Sequence, residues 1–196
     1  LPTGAVVQHM DSLVGVLRKK IEALPFGKDI NLIVTSDHGM TDISPERVVN
    51  INDYVKPEWC EVIDGRTPTS IFSKPEYRDS ICNALKKAAH IRVWKKEEIP
   101  AELHYGSSDR IGDIVVAPEL GWQFTDVARD TKGAHGYFPQ SPDMQVMFRA
   151  IGPDFKRGYI SGGFVNVDIY PLLSHLLQIV PEKTDGQFER IKEILR

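Results

Sequence analysis

This sequence has few cysteines, no surplus of basic charge and no long apolar run. Each of these absences limits the kinds of protein that it can be. The two cysteines, Cys60 and Cys82, could pair but form no Cys-x-x-Cys motif, so we predict ordinary, partly buried thiols that say nothing about compartment. The formal net charge is -3, and no nucleic-acid-binding surface is evident. No apolar run approaches the ~20 residues that span a bilayer, so we predict no membrane span in this chain.

What the sequence does contain is the composition of a folded globular protein. Hydrophobic residues make up 41% and charged residues 26% of its 196 residues, which are ordinary values for a packed domain. This length allows one domain, or a main domain with a small inserted lobe. The chain begins at Leu1 and no signal-peptide pattern follows. We therefore expect a processed chain or a piece of a longer protein, with any upstream targeting segment out of view.

The start of the chain predicts an amphipathic helix followed by a buried strand. Residues 4–24 repeat apolar side chains at steps of three or four, which is helical spacing, and Pro25 and Gly27 end the helix. The central apolar run of 31–36 does not alternate with polar residues, which indicates a strand buried on both faces of a parallel or mixed sheet. A helix, a short loop and a buried strand are typical of an α/β layer. The apolar helix positions are Val6, Met10, Leu13, Leu17, Ile21 and Leu24.

Residues 48–117 have a different texture and predict a compact α+β lobe inserted into the larger sheet. Short β-rich pieces precede a second helix that starts near Pro75, and further strands are predicted at 91–94 and 113–117. We predict that this lobe interrupts a larger α/β domain formed by residues 1–47 and 118–196.

The larger domain is predicted to end with one more strand and one more helix. The strand covers 144–150, and the helix runs from about residue 167 to 179. Asn166 is a plausible cap for that helix, since a side-chain oxygen there can accept a hydrogen bond from the first turn.

The sharpest local motif is Ser-Asp-His-Gly-Met at 36–40, directly after the buried strand. In open α/β sheets ligands bind at the carboxyl ends of strands, and a carboxylate with an imidazole supplies donors that suit Zn²⁺. Because neighbouring side chains on a strand point to opposite faces, Asp37 and His38 reach one metal only if the chain leaves strand geometry there. Gly39 can adopt the positive φ that such a turn would use. A loop with a turn-capping Asp and a packing His is the alternative.

The second motif is Gly-Ala-His-Gly-Tyr at 133–137, about a hundred residues further along the chain. A histidine flanked by glycines has little side-chain bulk around it, so a metal or phosphate can approach its backbone closely. His135 would have to converge with Asp37 and His38 through the fold. A flexible surface loop that contains a chance histidine is the alternative.

Taken together, the two histidine motifs resemble the nucleotide pyrophosphatase/phosphodiesterase family of the alkaline phosphatase superfamily. The resemblance covers nearly the whole chain, in order, and corresponds to the C-terminal part of that family's catalytic domain. It implies an α/β fold that is part of an alkaline-phosphatase-like mixed sheet flanked by helices. The supporting segments are Asn31 to Met40, Arg110-Ile-Gly-Asp-Ile-Val-Val, Gly121-Trp122, Ser141-Pro-Asp-Met-Gln with Phe148, Gly152-Pro153 and Asn166-Val-Asp-Ile-Tyr.

The resemblance implies two zinc ions that clamp a phosphoryl group, and a threonine or serine nucleophile that forms a covalent intermediate. Carried over position by position, Asp37 and His38 would bind the zinc that also holds the nucleophile. His135 would bind the other zinc, which activates water. The implied substrate is a nucleotide or another small phosphodiester, and the implied location is extracytoplasmic, either periplasmic or secreted.

The sequence departs from the family pattern because the nucleophile and several zinc ligands have no match here. Leu1-Pro2 falls where an Asp-x-x-x-His-x-x-Gly-Pro segment would end, and neither Ser36 nor Thr41 occupies the nucleophile position. We expect this fragment alone to bind zinc weakly and to be inactive. Other hydrolases of the superfamily (phosphomonoesterases, phosphonate hydrolases or sulfatases) and a non-catalytic binding module of the same fold remain open as alternatives.

Overall fold

The computed structural model describes residues 2–124 and 131–196, and these form two compact units. One unit comprises Leu1–Asp37 with Met147–Arg196, and the other comprises His38–Val146. Leu1, which marks the predicted junction with an upstream segment, lies outside the described residues. Within them, no helix combines the length and apolar character needed to cross a membrane.

The described ranges contain three α-helices and ten strands, joined by short 3₁₀ turns. Most of them lie within a few residues of the predicted positions. The helices are α1 (Thr3–Glu22), α2 (Arg78–Leu85) and α3 (Ile169–Leu176); the strands are β1 (Leu32–Thr35), β2 (Thr41–Asp42), β3 (Val48–Val49), β4 (Cys60–Gly65), β5 (Thr69–Ser73), β6 (Ile91–Lys95), β7 (Ile114–Pro118), β8 (Gln123–Phe124), β9 (Gly133–Ala134) and β10 (Phe148–Ile151).

Helix α1 forms as predicted, but its apolar face is not buried by the described residues. Pro2 occupies the N-cap position, and Lys19 and Lys20 lie in the last turn, where cations suit the negative end of the helix dipole. No residue of α1 is buried, and the apolar positions Val6 and Met10 are 44% and 54% exposed. The apolar periodicity therefore predicted the position of the helix correctly. Amphipathic spacing normally also indicates a buried apolar face, and the described residues do not cover that face.

Strand β1 pairs with β10 in antiparallel register, with Leu32 opposite Ile151 and Thr35 opposite Phe148. The sequence predicted a parallel or mixed sheet here, and the only described neighbour of β1 is antiparallel. The β1 side chains are half-buried rather than fully buried, and Ile33 packs at the edge of the core of this unit. The buried members of that core are Phe155, Leu172, Ile191 and Ile194.

An ion pair between a buried carboxylate and an exposed guanidinium lies at the start of α3. Asp168 is fully buried and accepts hydrogen bonds from the Arg190 guanidinium at 2.6 Å and from the Gln187 backbone N–H at 2.8 Å. Burial raises the pKa of Asp168, but these hydrogen bonds outweigh burial and hold the pKa of the carboxyl below its usual value. The pair with Arg190 joins the start of α3 to the chain segment near the C-terminus.

The second unit is built on a four-stranded antiparallel sheet in the order β4-β5-β7-β6. Helix α2 covers one face of it through Ile81 and Leu85, both fully buried. Ile71 and Ile114 are also fully buried on the sheet. The predicted lobe, 48–117, lies wholly within this unit, and its boundaries stay a prediction.

The buried Asp168 carboxylate predicts a measurable pH dependence of stability. Because its folded pKa lies below the unfolded value of about 4, the stabilisation is present above that pH and is lost as pH falls through the folded pKa. Asp168→Asn should lower the free energy of unfolding at pH 7 by about 1–3 kcal/mol and should flatten the decline between pH 5 and pH 3. Urea unfolding followed by circular dichroism at several pH values measures both effects.

The matched control is Asp79→Asn, which removes a carboxylate that pairs with Lys95 but is 78% exposed. This variant should unfold almost as the parent does at pH 7, since exposed ion pairs contribute little. An Asp168→Asn protein with parental stability at every pH would contradict the role given to this pair.

Candidate metal site

The first candidate motif leaves strand geometry directly after β1, as the prediction required. β1 ends at Thr35 and β2 begins at Thr41, so Asp37 and His38 lie in the irregular segment between two strands. His38 is half-buried, and its Nδ1 lies 2.8 Å from the carbonyl oxygen of Gly39. A proton on Nδ1 makes this contact a hydrogen bond to a backbone carbonyl, which is the contact that commonly orients a histidine ring at a metal site.

The pairing of β2 with β9 brings the second motif to the first. Thr41 lies opposite Ala134 and Asp42 opposite Gly133 in antiparallel register, so His135 emerges beside the segment that precedes Thr41. The imidazole rings of His38 and His135 are stacked, with centroids 3.5 Å apart and an angle of 13° between their planes. The structure thus brings together two of the three residues that the sequence singled out, and their role as metal ligands stays a prediction.

Asp37, the third of these residues, is held through its backbone. The side-chain amide of Asn166 donates to the Asp37 carbonyl oxygen at 3.1 Å, and the Ser36 hydroxyl lies 3.4 Å from the Asp37 carboxylate. The sequence suggested Asn166 as a helix cap. Instead, α3 begins at Ile169 after an N-cap residue, Asp168, that makes no side-chain capping bond, so the amide of Asn166 serves the Asp37 segment.

Gly39 and Gly136 are required by close backbone contacts. A Cβ at Gly39 would lie 2.0 Å from the Asp143 carbonyl oxygen, and one at Gly136 would lie 2.0 Å from the Thr67 carbonyl oxygen. Gly136 also has φ +91°, whereas Gly39 is not among the positive-φ residues. The expected positive φ at Gly39 is therefore wrong: tight packing against residues 143–145 explains this glycine.

Asp143 and Thr41 support the site, although the sequence did not single them out for this role. The Thr41 hydroxyl donates to the Asp143 carboxylate at 2.6 Å. The backbone N–H of Met40 donates to the Asp143 carbonyl at 2.8 Å, and that of Gly39 to the Met144 carbonyl at 3.1 Å. Thr41 is buried, which agrees with its rejection as a nucleophile. The Ser-Pro-Asp-Met segment at 141–144, which forms a 3₁₀ turn, was the sequence feature that could have pointed to Asp143.

A small apolar cluster includes residues of the second histidine motif and Met144, whose carbonyl accepts the Gly39 N–H. Ile43, Tyr137 and Met144 are buried together, and Ala134 packs against them. The Tyr137 hydroxyl donates to the Trp122 carbonyl oxygen at 2.7 Å, and burial raises the pKa of this phenol, with a smaller opposing effect from Arg47. Tyr137 therefore anchors the end of the Gly-Ala-His-Gly-Tyr motif through its hydroxyl and its burial.

Two further histidines, His90 and His175, pack against neighbouring side chains. His90 contacts Glu119 through Nδ1 at 2.9 Å and stacks on Trp122 with centroids 3.7 Å apart. His175 stacks on Phe188 with centroids 4.3 Å apart. Both imidazoles are therefore engaged by neighbouring side chains.

The donor chemistry at the site fits zinc, but the donor count does not complete a zinc site. Imidazole nitrogen and carboxylate oxygen are ordinary zinc ligands, and a closed site needs four of them, or three with water. In the stretches 2–124 and 131–196, no group of three or more histidine, cysteine, aspartate or glutamate side chains is arranged to hold a metal. The described residues can therefore supply only part of a coordination sphere.

Comparison with known proteins identifies the class to which this fold and site belong. The family model described as "Type I phosphodiesterase / nucleotide pyrophosphatase" matches residues 3–138. The chain is 33% identical over 192 residues to human bis(5'-adenosyl)-triphosphatase ENPP4, covering 97% of this chain and 42% of that protein. It is 32% identical over 195 residues to human ectonucleotide pyrophosphatase/phosphodiesterase family member 5, covering 98% of this chain and 41% of that protein.

The solved structures agree with the sequence comparison. Human ENPP5 superposes with a TM-score of 0.90 at 32% identity, over 98% of this chain and 52% of that one. An inactive form of murine ENPP5, solved in complex with AMP, superposes with a TM-score of 0.91 at 33% identity, with the same coverage.

This chain belongs to the type I phosphodiesterase/nucleotide pyrophosphatase family. It spans less than half the length of the curated relatives that it matches. The predicted fold class, a mixed α/β architecture of the alkaline phosphatase type, is confirmed by the superposition on ENPP5.

The contact at Gly136 predicts that a single methyl group disrupts the His135 loop. Gly136→Ala adds a Cβ against the Thr67 carbonyl and imposes a strained positive φ, so the free energy of unfolding should fall by more than about 1 kcal/mol. Gly163→Ala is the control, because its Cβ would meet nothing within 4 Å. Chemical denaturation of both variants tests this. Equal stabilities of the two variants would count against the close packing described for this loop.

Proposed function

We propose that the protein to which this chain belongs is a zinc-dependent hydrolase of nucleotide phosphodiester or pyrophosphate bonds. Family membership supports hydrolysis at phosphorus. One relative is named a bis(5'-adenosyl)-triphosphatase, and murine ENPP5 was solved with AMP, which supports a small nucleotide as the substrate. The observation that carries the proposal is the stacked pair of His38 and His135, contributed by two motifs far apart in the sequence.

The stacked geometry supports two metal ions in preference to one. The lone pair of an imidazole nitrogen lies in the ring plane, so two nearly parallel rings direct their lone pairs into two separate planes. The ring centroids are 3.5 Å apart, which is close to the ~3.5–4 Å between the ions of two-metal phosphoryl-transfer sites. On this reading, His38 binds one zinc together with Asp37, and His135 binds the other.

Neighbouring residues of this chain orient the proposed metal ligands Asp37, His38 and His135, and bound zinc would supply the electrophilic chemistry. Bound zinc would polarise a phosphoryl oxygen and lower the pKa of water. Asn166 holds the backbone of Asp37, the Gly39 carbonyl faces Nδ1 of His38, and the β2–β9 pairing places His135. Each contact limits how far a ligand can drift, and ligand orientation governs activity at metal sites.

The nucleophile of the proposed covalent step, a threonine or serine, has no counterpart that we can assign in this chain. The Thr41 hydroxyl is committed to Asp143. Since the described residues provide too few ligands for a complete site, the chain by itself should bind zinc weakly and give no turnover. By resemblance, we further propose that the full-length protein acts outside the cytoplasm.

The decisive test is hydrolysis of bis(4-nitrophenyl) phosphate and of a nucleotide pyrophosphate by the full-length protein. His38→Ala and His135→Ala should each lower kcat/KM by at least about 100-fold, because each removes a metal ligand, and excess zinc should restore little. Bound zinc, measured by mass spectrometry of the purified protein, should fall as well. His9→Ala, an exposed imidazole on α1, is the control and should match the parent in activity and in metal content.

Three results would overturn parts of the proposal. A full-length protein with no threonine or serine nucleophile and no turnover would favour a non-catalytic module. Faster hydrolysis of 4-nitrophenyl phosphate than of the diester would favour a phosphomonoesterase. Turnover by this chain alone, at a rate clearly above that of its own His38→Ala variant, would contradict the incomplete ligand set.

A further inference from the structure

A cavity of about 640 Å³ lies in the unit formed by Leu1–Asp37 and Met147–Arg196. It is bounded by the last turns of α1, the start of β1, the end of β10 and the segment 152–158. Leu32 and Ile151, which face each other across the strand pair, line it, whereas Asp37 follows the opposite end of β1. Its volume falls within the ~300–1,000 Å³ of small-molecule sites, and it is separate from the proposed metal centre.

Basic side chains dominate the charge at this cavity, although the whole chain carries a formal net charge of -3. Among the described residues that line it, only Glu22 carries a carboxylate side chain, and that carboxylate is paired with Arg18 at 2.7 Å. That pair cancels one charge of each sign, and the other four basic side chains of the wall are left without an opposed carboxylate in the lining. The local field therefore favours an anion. The basic residues that line the cavity are Arg18, Lys28, Lys156, Arg157 and Arg196.

Two of these cations are held in place, and two have no partner in the part of the chain that the structure describes. Lys156 donates to the Glu193 carbonyl at 2.7 Å, and the guanidinium of Arg196 donates to the Phe155 carbonyl at 3.0 Å. Both partners are neutral carbonyls, so the charges of these side chains are not cancelled. Lys28 and Arg157 make no hydrogen bond or ion pair with the described residues. A ligand that carries a doubly charged group would give these cations their missing partner.

The remaining walls are apolar. Ile21, Ile30 and Leu32 line the cavity and are half-buried, and Phe155, which also belongs to its lining, is nearly fully buried at 3% exposure. A site of this kind binds its ligand through apolar contact and uses a few polar groups to fix orientation. Inorganic phosphate would fill little of the volume and would leave the apolar wall uncovered.

We propose that this cavity is a second binding site, which takes an organic anion: an apolar body of about the size of a fused ring system that bears a phosphate or phosphonate group. The apolar body lies against Ile21, Ile30 and Leu32, and the anionic group meets Lys28 and Arg157. The proposal uses no feature of the metal site and does not depend on the hydrolase function.

The test uses 1-naphthylmethylphosphonate, which cannot be hydrolysed as an ester, titrated into this chain and measured by calorimetry. We expect saturable binding that weakens as salt is raised. The double variant Lys28→Gln/Arg157→Gln should bind at least about tenfold more weakly, since two charge-assisted contacts are lost. The control, Arg66→Gln/Lys87→Gln, removes one arginine and one lysine that are exposed in the other unit and should leave the affinity unchanged.

Two further ligands test the anionic group and the apolar body of the probe separately. Inorganic phosphate should bind at least about tenfold more weakly than the probe, and so should 1-naphthalenemethanol, because each lacks one half of the recognised chemistry. Equal binding of the neutral alcohol would show non-specific apolar contact and would overturn the proposal. Equal losses in both double variants, or no measurable binding at millimolar probe, would also overturn it. Thermal unfolding of each variant verifies that it is folded.

Discussion

The short antiparallel pairing of β2 with β9 is the interaction on which the candidate site depends. Two residues on each side, Thr41 with Ala134 and Asp42 with Gly133, align chain segments separated by about a hundred residues. So short a ladder is weak by itself. It is reinforced by the Thr41–Asp143 hydrogen bond and by the buried cluster around Tyr137. These contacts together hold the imidazoles of His38 and His135 next to each other.

Local signals in the sequence were sufficient for the positions of most elements and for the two histidine motifs. Helical spacing located α1, and an unbroken apolar run located β1, because both depend on periodicity within a few residues. The antiparallel partner of β1 was not predicted, since an apolar run reports burial and not strand direction. The pair of the buried Asp168 with the exposed Arg190 was also missed, because its two members come from separate elements and no local pattern connects them.

At the candidate site, the sequence showed which residues are unusual, but it did not show all of the contacts that require them. Gly39 was correctly marked as special, yet the cause is the carbonyl of Asp143, a residue far away in sequence. Asn166 was expected to cap a helix, and its amide instead supports Asp37. In each case the sequence shows that an unusual side chain is present, whereas the partner is chosen by tertiary packing. Supporting residues are therefore harder to predict than the groups that they support.

The geometry also separates orientation from affinity. His38 and His135 are already aligned by a backbone contact and by strand pairing, so the ordering of these two rings would cost a metal little. Affinity, however, follows the number of ligands as well as their orientation, and the described residues offer no group of three. In the proposed function, this chain contributes two pre-oriented histidine ligands to a two-metal centre. The other ligands, which the full-length protein would supply, are needed for tight zinc binding and for turnover.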